Sequence, residues 1–469
     1  MYFDLAANEF KEIDRDPAKL AFGCADRELT WQQLKDLSDK ICSLLEQTNI
    51  PEGAPVIIYG EKETLFIAAI LACYRKKLPF IPIEPSLPAK RIENIILQSG
   101  AQLGILCGNS SDAPQLSISI NSDLEIVGQS TFETVHPDSA YILFTSGSSG
   151  EPKGVIVTRE NLISFASWFC KNFPVSHETE FINQASLLFD ISLADVFGTL
   201  HTGGSAVFNS SSQVASGDFF SRIQKGRGNY WNSTPSFLSF CFTNKEFTEK
   251  HFSAVKTFVL SGENLSPALV RELFVRFPSA KVFNAYGPTE ACIFSSCILI
   301  TPEMLSAASL PISEFPQECL SIENGELIIS GPQVTQGYLG GKTFNGRFAT
   351  GDLVEEKDGL LFYKGRKDDQ VKLNGYRIEL NEIKHVLELH TNVAKAECLP
   401  VVVNHKVKRL IAFVTVKNNQ PDLVDIKKHL ALLLPAYMIP SEIIPIKEFP
   451  HTSSFKTDRK KLLETYLNF

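Results

Sequence analysis

The chain of 469 residues has no apolar run long enough to cross a bilayer. Its longest strongly apolar stretch, Leu65 to Tyr74, falls far short of the ~20 residues that a spanning helix needs, so it reads as a buried helix and no membrane contact is expected. Nor does the N-terminal segment read as a secretory leader. Met1 to Phe10 carries two acidic residues and no cationic segment ahead of an apolar one, which points to a cytoplasmic location. No block of lysines and arginines alternates with aromatics, and the net charge is -8, so nucleic acid is excluded as the main partner. The ten cysteines contain no Cys-x-x-Cys pair and sit mostly in apolar contexts such as Leu71 to Cys73 and Trp168 to Cys170. They read as reduced core thiols. Cys292 and Cys297 lack partner His or Cys residues at the spacing a zinc site requires. Low-complexity stretches and internal repeats are absent too.

What is there is ordinary globular material: 44% hydrophobic and 21% charged residues, in a length that implies two or three folding units. Short apolar runs alternate with helix-like segments through the first three quarters. Lys256 to Leu260 reads as a strand, followed by Ser266 and Pro267 as helix N-cap and first helical residue, with Leu269, Val270, Leu273 and Phe274 at helical spacing behind them. Tyr141 to Thr145 and Gly154 to Val157 read as strands on either side of a loop, and the next helix carries Leu162, Phe165 and Phe169 on one face. Such repetition predicts a layered α/β body. After about Arg366 the order becomes helix (381–390), two strands (394–403 and 409–416), helix (423–434) and strand (442–446), a small α+β domain. The expected division is a large body over 1–366 and a small domain over 367–469, joined by the charged segment Gly365 to Gln370.

The most informative segment is Phe144-Thr-Ser-Gly-Ser-Ser-Gly-Glu-Pro-Lys-Gly154. Three glycines and four hydroxyl residues free its backbone to curl, so that N–H groups and hydroxyls converge on phosphate oxygens while Lys153 adds charge. It is not a Walker loop, since no glycine precedes Lys153 and no Ser or Thr follows it.

This loop resembles that of the adenylate-forming superfamily, and further segments occur in the family's order: Leu78-Pro-Phe-Ile-Pro-Ile-Glu-Pro85, Asn284-Ala-Tyr-Gly-Pro-Thr-Glu290, Ala349-Thr-Gly-Asp352, Gly365-Arg-Lys-Asp-Asp-Gln-Val-Lys372, Gly375-Tyr-Arg-Ile-Glu379 and a terminal motif around Lys456. The resemblance implies a two-domain α/β fold, ATP and Mg2+ as cofactors, and attack of a substrate carboxylate on the ATP α-phosphate. It assigns Thr145, Ser146, Gly147, Ser148, Ser149, Gly150 and Lys153 to the phosphates, and Asn284, Ala285, Tyr286, Gly287 and Thr289 to the adenine side. Asp352 is implied at the ribose with Arg366 nearby, Glu290 at the metal, and Lys456 at the substrate carboxylate and α-phosphate. Thr145, Glu290 and Lys456 are the catalytic candidates, and Asp368 is the hinge. Phe455 stands where the family usually has glycine, which bears on the pose of Lys456.

Phe189-Asp-Ile-Ser192 and Pro288 resemble the amino-acid-activating branch, nonribosomal peptide synthetase adenylation domains included. An ammonium beside an apolar pocket needs an anionic partner, and Asp190 supplies it. The same resemblance implies a pocket lined by Asp190, Ile191, Ala194, Ser236, Val259, Ser261, Gly262, Ala285, Ile293 and Phe294. This set holds no second charge, and Phe294 takes up volume, which indicates a small uncharged side chain such as alanine's. Asn232 to Phe237 and Leu260 to Asn264 look most like stand-alone alanine-activating members, although Ser261 replaces their usual cysteine. No phosphopantetheine-attachment motif follows Lys456 before Phe469, so the implied thiol acceptor is a separate phosphopantetheinylated carrier protein and the enzyme is expected to be a monomer. In the family's two-step cycle the small domain turns at the hinge, withdrawing Lys456 and presenting Lys372 to Glu379. The competing readings are an acyl- or aryl-CoA ligase, disfavoured by Asp190 and Pro288, and a catalytically weak nucleotide-binding relative, disfavoured by intact Glu290, Asp352, Arg366 and Lys456.

Overall fold

Ser266 caps its helix as its place before Pro267 predicts: the hydroxyl accepts from the Leu269 amide, Pro267 takes the first helical position, and the helix Pro267–Arg276 buries Leu269, Val270 and Leu273. The strand ahead of it, Thr257–Leu260, is buried at every residue, as a strand covered on both faces must be. The same pattern recurs in the strands Ser139–Thr145 and Lys153–Thr158 and the helix Arg159–Asn172, whose capping box is made by Thr158 and Asn161. The computed structural model describes residues 1–12, 18–108, 113–114, 116, 118–121, 123–128, 136–147, 150–403, 406–417, 422–451 and 457–467.

Two units emerge, one of Met1–Pro85, Asn94–Phe144 and Gly154–Lys367, the other of Ser86–Glu93, Thr145–Lys153 and Asp368–Phe469. The first holds two eight-stranded sheets. In one, Val56–Tyr59 runs parallel to Phe80–Ile83 and Leu103–Leu106, and Phe80–Ile83 neighbours Ser139–Thr145. In the other, Ser205–Phe208, Glu180–Asn183, Tyr230–Ser233, Thr257–Leu260 and Lys281–Tyr286 lie side by side in parallel. The helix Thr64–Arg75 is apolar all round and buried along almost its whole length, so it belongs to the core shared by both sheets. The helix Asp190–Thr202 is buried in the same way and ends at Gly203 in the left-handed conformation.

A five-stranded antiparallel sheet follows, ordered Ser313–Glu314, Leu360–Arg366, Arg347–Lys357, Glu326–Ser330 and Leu320–Glu323. The sequence pattern does not separate this sheet from the α/β body, because its strands are only partly buried.

In the second unit the helix Leu380–Leu389 packs Ile383, Val386 and Leu387 against a three-stranded sheet of Val393–Val403, Lys406–Val416 and Glu442–Pro445. The helix Leu423–Leu433 adds Ile426 and Leu430 to that core. The segment 370–379 is a hairpin of Gln370–Leu373 and Tyr376–Glu379, joined by Asn374 and Gly375, both with positive φ, the pair a tight two-residue turn demands. The expected charged link therefore narrows to the residues between Arg366 and Gln370, each of which lies in a strand. The protein is thus a large α/β body with a smaller α+β domain. Among the described residues no helix is long and apolar enough to cross a membrane.

Candidate functional site

Strand register assembles the apolar side of the site. Asn232 pairs with Val259 and Val259 with Phe283, so these three share one face, and Ser261 follows two residues after Val259 on the same side. Ala194, Val259, Ala285, Ile293 and Phe294 all fall in one buried cluster, with Ile191 packed against it. The Phe294 ring meets Phe165 at 6.2 Å and Phe173 at 6.1 Å, a wall set in the core rather than a movable flap. The turn that aims it is strained. Cys292 and Ile293 have φ of 54° and 74°, a region that a β-branched residue rarely enters. Gly287 permits the fold-back, since a Cβ there would lie 2.3 Å from the Ile293 carbonyl oxygen.

Asp190 opens its helix at the edge of this cluster and is half-buried. Its charge is felt at a buried contact between the Tyr141 hydroxyl and the Cys292 thiol (3.9 Å). Burial first, then Cys292 and Asp190, hold the Tyr141 phenol well above its ordinary range. Ser261 and Gly262 lie on the loop after Thr257–Leu260, and Gly262 has the positive φ (83°) that suits glycine.

One acid was missed. Glu263 accepts from both the Ser236 hydroxyl (2.6 Å) and the Ser236 amide (3.1 Å), so a carboxylate borders a set expected to hold only Asp190. Its other oxygen is buried and has no hydrogen-bond partner. Proximity to Ser261 in sequence was the available signal.

A second group surrounds Asp352, at the middle of the strand Arg347–Lys357. Its oxygens accept from the Tyr286 hydroxyl (2.6 Å) and from Arg366 Nη1 (2.9 Å), and the residue is buried. Burial, then the Asp352 carboxylate, keep the Tyr286 phenol protonated far above its usual range. Asn284 is buried with its amide nitrogen donating to the Pro311 carbonyl (2.7 Å). Glu290, in the short 3-10 turn Thr289–Ala291, is fully buried, and its Oε1 accepts from the Tyr338 hydroxyl at 2.7 Å. Among the described residues no group of three or more His, Cys, Asp or Glu is placed to hold a metal ion.

The Gly/Ser loop belongs to the second unit. Thr145 reaches the Lys153 carbonyl at 3.5 Å, and a Cβ on Gly147 would lie 1.9 Å from the Glu151 carbonyl oxygen, so the loop closes on itself in a way only glycine allows. Ser146 donates to the Arg377 carbonyl (3.0 Å), and the Gly147 amide donates to Glu382 Oε2 (3.0 Å). Glu382 Oε1 pairs with Arg91 at 2.6 Å, both side chains being buried. A carboxylate therefore holds a backbone amide expected to face phosphate. Gly150 lies against His385. Ser148, Ser149 and Lys456 lie outside the described residues. Beside Lys456, Arg459 forks onto Asp369 (2.5 and 2.8 Å) and donates to Glu397 (2.7 Å), while His451 bridges Thr457. Asp368 Oδ1 accepts from the Gln370 amide at 3.3 Å.

Comparison with known proteins gives the class. Residues 10–339 match the AMP-binding enzyme family and residues 382–456 its C-terminal domain, so the chain belongs to the AMP-binding enzymes. Within that class it is 35% identical, over 97% of its length and 98% of theirs, to proteins named D-alanine–D-alanyl carrier protein ligase from Bacillus licheniformis and Bacillus velezensis. Among solved structures, the Vibrio cholerae adenylation domain AlmE in complex with glycyl-adenosine-5'-phosphate has a TM-score of 0.84 at 22% identity, covering 99% of this chain and 97% of that one. An o-succinylbenzoate CoA synthetase from Bacillus subtilis has a TM-score of 0.81 at 20% identity, covering 95% and 96%. At these identities the structures speak for the fold alone.

Proposed function

We propose that this enzyme uses ATP to convert a small uncharged amino acid, D-alanine by analogy with the relatives, into aminoacyl-AMP, and then transfers the aminoacyl group to the phosphopantetheine thiol of a separate carrier protein. The observation that carries this reading is an acidic residue, Asp190, at the start of a helix beside a buried apolar cluster closed by Phe294. An ammonium taken from water requires a carboxylate partner, and an aromatic wall at Phe294 favours a short side chain.

The remaining roles follow from charge. Attack of the amino-acid carboxylate on the α-phosphate builds negative charge while pyrophosphate leaves, so positioning and charge stabilisation are the main demands on the protein. Thr145, Ser146, Gly147 and Gly150, with Lys153, hold the phosphates in this proposal. Tyr286 and Asn284 border the adenine, and Asp352, oriented by Arg366, accepts from the ribose hydroxyls. Glu290 fits a Mg2+ ligand: it is a buried carboxylate, and magnesium is ordinarily held by one or two carboxylates together with substrate phosphates. Bound there, the ion would offset triphosphate charge. Lys456 neutralises the reacting carboxylate and α-phosphate, on a small domain taken as 367–469 next to an adenylation domain taken as 1–366. The test is ATP–pyrophosphate exchange across both enantiomers of the amino acids. Glycine, alanine and serine should dominate, with D-alanine highest. A maximum at a large or charged amino acid would overturn the pocket assignment.

A further inference from the structure

The turn that carries Asp190 is held by groups none of the roles above uses. Glu84, from the strand-following segment Ile83-Glu84-Pro85, is 4% exposed and accepts from the Ser186 hydroxyl (2.7 Å) and the Leu187 amide (3.0 Å). Both donors lie just before Asp190. On its other side, Asn232 Nδ2 donates to the Ile191 carbonyl (3.0 Å) and to Asp195 Oδ1 (3.2 Å), while Asp195 Oδ2 takes Asn183 Nδ2 (2.8 Å). Ser192 closes the turn from within by donating to the Ala185 and Ser186 carbonyls at 2.6 and 2.9 Å. The Glu84, Asn232 and Ser192 bonds all act on residues 185–195, around Asp190.

Two carboxylates so deep in a protein need a compensating charge. Lys62 provides one. It is 1% exposed and donates to the Asn209 carbonyl at 2.7 Å. Burial pulls its ammonium down to about 8, and Glu84, Glu61 and Asp195 act on it in the opposite direction. Burial raises the Glu84 carboxyl, while the Ser186 hydrogen bond and Lys62 draw it back down.

We propose that Glu84 is a positioning residue for amino-acid recognition, fixing the Ser186–Asp190 turn so that Asp190 meets the substrate ammonium. This rests on the adenylation reading. A carboxylate misplaced by a fraction of an ångström loses its ion pair with the substrate but leaves nucleotide binding alone.

The experiment is pyrophosphate exchange with D-alanine, L-alanine and glycine as probes, comparing wild type with Glu84→Ala and Glu84→Gln. Glu84→Ala should raise amino-acid KM roughly 10- to 100-fold with ATP KM within about twofold of wild type. Glu84→Gln keeps an acceptor for Ser186 and Leu187 and should recover most of that loss. Should Glu84→Ala not fold, Ser186→Ala removes one bond of the same grip and should raise amino-acid KM alone by roughly threefold or more. An unchanged amino-acid KM in a folded Glu84→Ala or Ser186→Ala variant, or equal increases in both KM values, would overturn the positioning role while leaving the adenylation reading in place. Wild-type exchange that depends on no amino acid would overturn both.

Discussion

In the proposed pocket Phe294 would serve packing and selectivity at once, because its ring also belongs to the Phe165–Phe173 aromatic group. Phe294→Leu keeps an apolar filler and should cost about 1 kcal/mol of stability. The freed volume should raise kcat/KM for valine relative to alanine by roughly tenfold, read in the exchange assay, since one methylene is worth about 1–3 kcal/mol in selectivity. An unchanged ratio would mean that another side chain sets the pocket's depth. The shared face of Val259 and Ala285 is legible in the sequence because strand alternation determines it. Glu263 was not, because its contact with Ser236 joins segments 27 positions apart. The bend at Cys292 and Ile293 was equally hidden, since nothing in two non-glycine residues announces positive φ.

Among elements, the Gly/Ser loop shows how far a motif can be read. Its composition foretold a backbone open to an anion. The anion it meets in this structure is the side chain of Glu382, which lies 235 positions away and is paired with buried Arg91. In the proposed role phosphate would compete with Glu382 for the Gly147 amide, so weakening the carboxylate should favour nucleotide. Glu382→Gln exchanges a charge-assisted hydrogen bond for a neutral one, a difference on the order of 1 kcal/mol. ATP KM should fall roughly fivefold at saturating amino acid, with thermal stability lowered because Arg91 loses its buried partner. An ATP KM that stays constant or rises would show that the loop binds nucleotide without exchanging this contact. The hairpin 370–379 was half legible: Asn374-Gly375 is a strong turn signal, but the pairing of Val371 with Ile378 is a tertiary outcome.

At the scale of the whole molecule, two half-reactions are expected to draw on different residues of the C-terminal region. Lys456→Ala should slow amino-acid-dependent pyrophosphate exchange roughly 10²–10³-fold, as loss of one preorganised charge-stabilising group does. Transfer from preformed aminoacyl-AMP to carrier-protein thiol should continue at a rate near wild type. Equal loss in both assays would exclude a division of labour. Arg459, three residues after the lysine in sequence, is anchored on Asp369 and Glu397.

The sequence by itself determined the chemistry and the class of fold. Phosphate loops, capped helices and buried parallel strands each depend on residues close together in the chain, so spacing is enough to reveal them. Tertiary structure alone decided which groups restrain that chemistry. The Glu84 hold on the Asp190 turn spans about a hundred residues, the Glu382 contact with the loop more than two hundred, and the five-stranded sheet arises from pairing between partly buried strands. A buried charge is tolerated only where the folded chain supplies its partner, and a one-dimensional pattern carries no record of which distant residue that will be.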